Sequence, residues 1–456
     1  MKSSPYQKRI RQYRRNLSRI PGHGQAVDHC LAQLGKTGNV SVLDEVFLHT
    51  LAPAMVEYVK WVLLEAQKNH IQRLYFVARD GYMMYRAAQV MAQAWNMKMD
   101  LRYLKVSRHA IRSAEYYFCG EKSLDTICVG GIDITFAKMM KRANLTEEEA
   151  GQIARLCGME EEYDRPLSYR QIQELKEKLR KLPLLQTYIR EHAKNPYTQA
   201  VEYLKHQGMM EEISYALVDS GWIGTLQLSL QRVISHAMGK PVELTGYYFG
   251  IFTIPEGTGT GQYRAFYFEP KDIRRKSLFS NCMFETIFSA PEGMTVGYRD
   301  KEAIESDRNN PNAGAITWLA EELDQYTKEY LKQIPDREEK GCATGRRAVR
   351  MLRTLLVPLM AFPTREEAEE FGKLLFCDDV LELQVQPLAA RWNEEELQNQ
   401  RLLSKILIKA NRKRGILRES AWPEGSMTNL ANHPTSYIRQ EHWYRYLMYL
   451  RKAVGK

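Results

Sequence analysis

Cysteine is scarce in this chain and never paired. Cys30, Cys119, Cys128, Cys157, Cys282, Cys342 and Cys377 are the seven in 456 residues, scattered, odd in number and without a C-x-x-C. That spacing argues against a disulfide framework and a zinc knuckle, and fits single buried thiols in a reducing compartment. Long apolar runs are missing too. The best stretch, 52–66, is interrupted by Glu57 and Lys60, which excludes it as a bilayer-spanning helix. The charged N-terminus is followed by no apolar core of a signal peptide. No internal repeat, low-complexity tract, zinc finger, RNA-binding aromatic signature or basic region with heptads occurs. Specific nucleic-acid binding is therefore not expected. The expected location is cytoplasmic, and the N-terminus leaves open a peripheral attachment to the inner face of the membrane.

Acid is what that N-terminus lacks. Between Met1 and Ala26 there are seven Lys or Arg and no Asp or Glu before Asp28. Tyr6, Ile10, Tyr13, Leu17 and Ile20 recur at spacings of four and three, so residues 1–30 form a basic amphipathic helical segment. Its apolar face has three possible partners: an anionic membrane, another protein, or the chain's own body. Pro21-Gly-His-Gly24 then breaks the helix. The net charge of +10 and an apolar content of 44% fit a globular protein with a sizeable core.

What the chain does have is a series of buried strands that end in polar residues. Tyr215-Ala-Leu-Val-Asp219 predicts a strand, Ser220 to Thr225 a small polar turn, and Leu226 to Ile234 a mostly apolar helix. Arg73-Leu-Tyr-Phe-Val-Ala-Arg-Asp-Gly-Tyr82 predicts an earlier strand, ending in charge and glycine before a helix over 83–92. Further strands are expected over 101–107 and 243–252. Alternating strands and helices imply a mainly parallel, Rossmann-like α/β sheet over 31–300. A charged helical insertion is expected at about 134–210, with Thr146-Glu-Glu-Glu-Ala150 as a capped helix start. Residues 301–456 predict a helical C-terminal region, with helices over 318–334, 345–359, 365–376 and 398–410. In 442–451, Trp, Tyr and Arg interleave, which suits an amphipathic helix whose aromatics are core, or a stacking surface.

Ligands of parallel sheets gather outside the carboxyl ends of the strands, where Asp80, Ser107, Arg108 and Asp219 fall. A strand, a glycine-bearing loop and a helix N-terminus together suit a phosphate, although an ordinary tight β–α turn has the same local pattern. Candidate phosphate-binding residues are Arg79, Gly81, Lys105, Ser107, Arg108, Ser220, Gly221, Gly224 and Thr225. Asp80, Asp219 and Glu285 are the candidate catalytic acids. Asp80 and Asp219 are also the candidate ligands of a Mg²⁺ ion. Glu285, set among Met, Phe and Ile, is either a buried paired carboxylate or the edge of an amphipathic helix.

Two phosphate chemistries share this layout. Ala78-Arg79-Asp80-Gly81 is similar to the Asp-x-Asp-Gly of haloacid dehalogenase (HAD)-like phosphatases. However, Ala78 stands at the nucleophile's place, which argues against a phosphoaspartate intermediate. In phosphoribosyltransferase-like terms, Arg79 to Tyr82 would hold pyrophosphate and Asp219 to Thr225 the ribose phosphate. This loop has one acid where that family has two, and Trp222 where a small residue is usual. Four motifs in order resemble a narrower family. They are Phe76-Val-Ala-Arg-Asp-Gly-Tyr82, Tyr103-Leu-Lys-Val-Ser-Arg108, Val218 to Gln227, and Glu285 with Ser289-Ala-Pro-Glu-Gly293 and Gly297-Tyr298. It is a bacterial family from capsular and surface-polysaccharide gene clusters, labelled as predicted HAD-superfamily hydrolases. Many of its members carry a separate dehalogenase-like domain ahead of this region, and too few residues precede Arg73 for one here. The resemblance implies a phosphate-ester-handling enzyme, hydrolase or transferase, acting on a phosphorylated sugar or nucleotide-sugar. The alternative is a binding or scaffold protein that keeps the fold without the chemistry.

Overall fold

The computed structural model describes residues 3–130, 134–256, 258–334, 345–377, 385–410 and 412–454; Cys342 lies outside them. Its centre is a five-stranded sheet: β1 (Arg73–Val77), β2 (Asp100–Leu104), β3 (Tyr215–Trp222), β4 (Thr245–Ile251) and β5 (Tyr263–Phe268). Every pairing is parallel, and the spatial order is β2-β1-β3-β4-β5. The expected mainly parallel α/β sheet is present. β5 is an addition, because its aromatic run follows directly on a Gly- and Thr-rich loop that conceals it in the sequence.

Side chains alternate across this sheet with the period of two that a strand imposes. Leu74, Phe76, Ala216, Val218, Tyr247 and Phe249 face one way, into a core with Met83, Met84 and Tyr58. Tyr75, Val77, Leu104 and Leu217 face the other way, against Ala110, Ile111, Leu230 and Val233. Helices Gly81–Ala94 and Ala52–Lys68 therefore cover the first face, and Arg108–Cys119 and Thr225–Met238 the second. The strand order has a direct consequence. From β1 the chain crosses to β2 on one side, and β3 enters on the other. A crevice thus opens between the carboxyl ends of β1 and β3, the usual place for a ligand in such sheets.

The insertion contains helices Phe136–Arg142, Glu147–Cys157, Tyr169–Arg180 and the first part of Pro183–His206. Thr146 and Glu149 form the expected capping box. Ile153, Leu175, Leu185 and Ile189 build a core separate from the sheet, which Tyr116, Leu124 and Ile127 join from before residue 134. The N-terminal helix Pro5–Leu17 docks on the body of the protein. Tyr13 and Leu17, with Ile20 beyond it, are buried in the main core, and Tyr6 and Ile10 pack against it. Most of its cations stay outside, with Arg11 and Arg15 exposed, while Arg9 reaches inward to Glu367 at 3.6 Å.

Among the expected C-terminal helices, Ala313–Gln333, Arg346–Ala361 and Arg365–Gly372 form. Leu319, Leu352 and Phe371 from them enter the same core as Phe76. The helix expected over 398–410 is instead two, Glu394–Asn399 and Leu402–Lys409. The one expected to reach 376 stops at Gly372, where Leu375–Phe376 pairs antiparallel with Gln386–Pro387. A hairpin of β6 (Thr295–Arg299) and β7 (Glu302–Glu305) completes the protein near the sheet, with Tyr298 stacked on Tyr203 at 4.5 Å. Among the described residues, no helix is long and apolar enough to cross a membrane.

Candidate functional site

β1 stops at Val77, three residues short of Asp80. Ala78 and Arg79 form a turn whose Ala78–Arg79 peptide is cis, and the Arg79 carbonyl accepts the Tyr82 amide at 3.0 Å. Asp80 is the N-cap of helix Gly81–Ala94, yet its carboxylate makes no capping bond. It turns instead toward β3 and accepts a hydrogen bond from the Ser220 hydroxyl. Gly81 is needed for packing, because a Cβ there would lie 2.8 Å from the backbone of Phe76.

β3 runs further than its sequence suggests. Ser220, Gly221 and Trp222 belong to the strand and not to a polar loop, since Gly221 pairs with Gly250 and Trp222 with Ile251. Two facing glycines let the ladder continue past Asp219. Gly221 has φ +109°, and a Cβ there would lie 2.4 Å from the Gly250 carbonyl oxygen. Trp222 points down, packed by Phe252, Phe268, Phe279 and Phe284. The connection to the next helix is thus only Ile223 and Gly224, with Gly224 as N-cap and Thr225 as the first helical residue. Tyr58, from helix Ala52–Lys68, fixes the strand end by donating to the carbonyls of Asp219 at 2.9 Å and Tyr247 at 2.8 Å.

These strand ends bring Asp80 and Asp219 together in the crevice between β1 and β3. Both lie deep in the fold, yet each keeps part of its surface open to solvent, as at the floor of a cleft. Burial raises the Asp80 pKa above the ordinary carboxylate range, against the Ser220 hydrogen bond and the nearby positive charges of Arg79 and Arg108. Asp219 is pushed up further, by burial first and then by the charges of Asp80 and Glu285. The Ser220 amide, 2.8 Å from its Oδ1, and Arg108 oppose this. Glu285, on helix Asn281–Ile287, is thus a third acid within electrostatic reach. Two carboxylates that resist ionising side by side suit a shared proton or a divalent cation. Among the described residues, no three of His, Cys, Asp and Glu group as a ready-made metal site. Mg²⁺ needs fewer, since it is commonly held by one or two carboxylates with phosphate oxygens and water. The donor set fits it.

The remaining candidates divide. Lys105 pairs with Glu305 of the hairpin, and the Ser107 hydroxyl caps helix Arg108–Cys119 at 3.0 Å while donating to the Thr295 carbonyl at 2.7 Å. Both therefore anchor the hairpin. Arg108 is exposed at the first position of its helix, with no hydrogen bond or ion pair among the described residues. One turn further along, Arg112 donates from Nη2 to the Thr225 hydroxyl at 3.2 Å. Its Nε is buried without a partner, and burial lowers its pKa. No carboxylate forms an ion pair with it among the described residues. Arg108 thus acts on both acids, and Arg112 lies one turn further along the same helix, against the first residue of helix Thr225–Met238.

The sequence assigned no role to Arg112, Tyr58, Tyr103 or Glu292. Tyr103 donates to Glu292 at 2.8 Å, and burial and that acid raise its pKa, with Arg79 and Asp80 also acting on it. Arg112 could have been found from its four-residue spacing to Arg108, which puts both on one helix face. Glu292 lies in the Ser289–Gly293 motif, whose shape Asn310 clamps through Ser289 Oγ at 3.2 Å and the Ala290 carbonyl at 3.1 Å. Tyr58 has no local signal. A separate polar cleft of about 410 Å³ lies between the insertion and the hairpin, lined by His109, Asn144, His192 and Gln199 among others and by none of the three acids. Searches against protein-family models and curated proteins find no match for the chain.

Proposed function

We propose that this chain handles a phosphate ester by direct transfer at the β1–β3 crevice. The observation that carries the proposal is the meeting of Asp80 and Asp219 within reach of Arg108, an exposed arginine without a carboxylate partner among the described residues, with Arg112 one turn along its helix against Thr225. The arginines and the first turn of helix Thr225–Met238 hold the phosphate oxygens. Repulsion keeps the acid pair from carrying two full charges, so one member donates a proton while the other accepts one. The attacking water or hydroxyl gives its proton to the carboxylate as its oxygen bonds to phosphorus. The bond to the leaving oxygen breaks as that oxygen takes the carboxyl proton. Ala78 offers no nucleophile at the phosphoaspartate position, which favours direct transfer to water or hydroxyl. In the alternative state, Mg²⁺ held by Asp80 and Asp219 would take the place of the shared proton and supply neutralising charge to the phosphate oxygens. The substrate class, a phosphorylated sugar or nucleotide-sugar of surface-polysaccharide synthesis, rests on the resemblance of the four motifs.

Ala78 also favours a second reading, a protein that binds such a ligand without turning it over. One panel separates the two. Sugar phosphates, nucleotide-sugars, phosphoribosyl pyrophosphate and inorganic phosphate are added with and without Mg²⁺, and melting and product are followed together. A ligand at about a hundred times its dissociation constant adds about 2.7 kcal/mol of stability. The expected result is a selective shift with turnover, lost in Asp219→Asn and weakened in Arg112→Ala. A shift without product selects the binding protein. No shift, or one unchanged in both variants, refutes the site.

A further inference from the structure

In the C-terminal region, helix Leu402–Lys409 and the long helix Pro434–Val454 leave large apolar side chains in solvent. Leu403 is 74% exposed, and Ile406 and Leu407 beside it are exposed on the same helix face. Ile416, on the connecting loop, is 75% exposed, and Trp443 is 60% exposed. Trp443, Leu447 and Leu450 follow one another at spacings of four and three, so they form one stripe opposite the buried Ile438, Glu441 and His442. The two helices are held together. Lys405 pairs with Glu441 at 2.6 Å and lies over the Tyr444 ring at 4.8 Å, and the Leu402 amide donates to Gln440 at 3.1 Å. A monomer rarely leaves so many large apolar residues uncovered in one place.

The charge around this surface indicates what covers it. Between Arg401 and Arg418 there are seven Lys or Arg and no acid. Lys409, Arg412, Lys413 and Arg414 are exposed there, as are Arg439, Arg451 and Lys452 on the long helix. That helix has a single acid, Glu441, which is buried in ion pairs with Lys405 and Arg445. A second copy is a poor partner, because a two-fold contact sets the patch against itself and like charges meet. Exposed Trp and Leu rimmed by Lys and Arg are instead the composition of a surface that lies on anionic lipid.

We infer that the protein docks on an anionic membrane surface through helices Leu402–Lys409 and Pro434–Val454. The N-terminal helix is not the contact, since its apolar face is buried in the core. Docking here is independent of the proposed phosphate chemistry, because none of these residues lines the crevice.

The test is co-sedimentation of the full chain with vesicles of phosphatidylcholine alone or mixed with phosphatidylglycerol. The wild type pellets with the anionic vesicles only. Charge reversal in Arg412→Glu/Lys413→Glu/Arg414→Glu lowers partitioning roughly 100-fold, since each basic group near such a surface contributes about fivefold. Trp443→Ser/Leu447→Ser also weakens it, and Arg11→Glu/Arg15→Glu leaves it unchanged. All these positions are exposed or at the surface, so melting curves show whether each variant folds as the wild type does. Absence of wild-type pelleting overturns the inference, as does undiminished pelleting of the first two variants or loss confined to the N-terminal one. So does a wild-type dimer that Trp443→Ser/Leu447→Ser dissociates, which would make the patch a protein interface.

Discussion

Lys60→Met strands a buried charge on the helix whose Tyr58 holds the end of β3, and its cost can be worked from the geometry. Glu57 and Lys60 flank Tyr58 on the helix that holds the end of β3, and both are buried. Glu57 Oε1 accepts from Lys60 and from Tyr330 at 3.0 Å and contacts His23 Nε2 at 3.0 Å; Lys60 Nζ also lies 2.8 Å from the Tyr330 hydroxyl oxygen. Burial alone would raise the Glu57 pKa, but the Lys60 charge and the His23 hydrogen bond outweigh it and bring it from 4.5 to about 2. That is a change of about 2.5 units, or about 3 kcal/mol at ~1.4 kcal/mol per unit. Burial lowers the His23 pKa, so the imidazole is neutral near pH 7 and Lys60 is the cation of the group. The pKa of a depressed carboxylate sets the sign. Its stabilisation is present above pH 4.5 and is lost as pH falls toward about 2. Without Lys60, burial dominates, the Glu57 pKa rises, and mild acid neutralises the stranded charge. The variant should therefore lose about 3–5 kcal/mol at neutral pH, and less as pH falls. Urea unfolding followed by circular dichroism, between about pH 7 and about pH 4, measures both. Glu57→Gln/Lys60→Met should recover most of the loss. A loss that is equal at every pH, or below about 1 kcal/mol, would refute the reasoning.

Two further outcomes follow from the end of β3. Gly221→Ala places a Cβ 2.4 Å from a ladder carbonyl at φ +109°. It should cost about 3 kcal/mol, read as a lower urea midpoint at an unchanged slope, and a loss under about 1 kcal/mol would contradict the pairing with Gly250. Asp219→Asn should leave the fold as stable as the wild type or more so at neutral pH. A carboxylate with a raised pKa loses stability as pH rises above its ordinary range, and the amide does not. The excess stability of the variant should fade on acidification, and a variant less stable at pH 7 would show that the acid is structural.

Much of this was legible because the central strands are short and largely buried on both faces. Arg73–Val77 is buried throughout, and such a run bounded by charge and glycine announces a central parallel strand. The strand ends were harder. Ser107 looked like a phosphate ligand, although its N-cap bond to Ala110 is local, because its other bond, to Thr295, depends on a hairpin distant in sequence. Ser220 and Gly221 looked like a loop because only the facing Gly250 lets the strand continue. The N-terminal helix showed its amphipathic face plainly, but not what covered it. The core that receives Tyr13 comes from elements as distant as Glu367, which its hydroxyl meets at 2.7 Å. Local pattern sets which face is apolar, and tertiary contacts set its partner.

The buried acids themselves separate structure from chemistry. Glu57 and Glu424 are both held at about 2, each despite burial. Each touches a cation that is part of the fold, Lys60 for the first and Arg445, at 2.9 Å, for the second. Folding has neutralised these charges, and nothing remains for a ligand to complete. Asp80 and Asp219 also lie deep in the fold, though partly open to the crevice, and their pKa values move upward. Ser220 serves both, by its hydroxyl and its amide, and Arg108 acts on them without an ion pair. A fold under selection for stability alone would pair or replace such acids, because uncompensated buried charge is among the costliest features a core can carry. Their placement at the crevice that the strand order opens is best explained by a ligand that supplies the missing positive charge or takes up the shared proton.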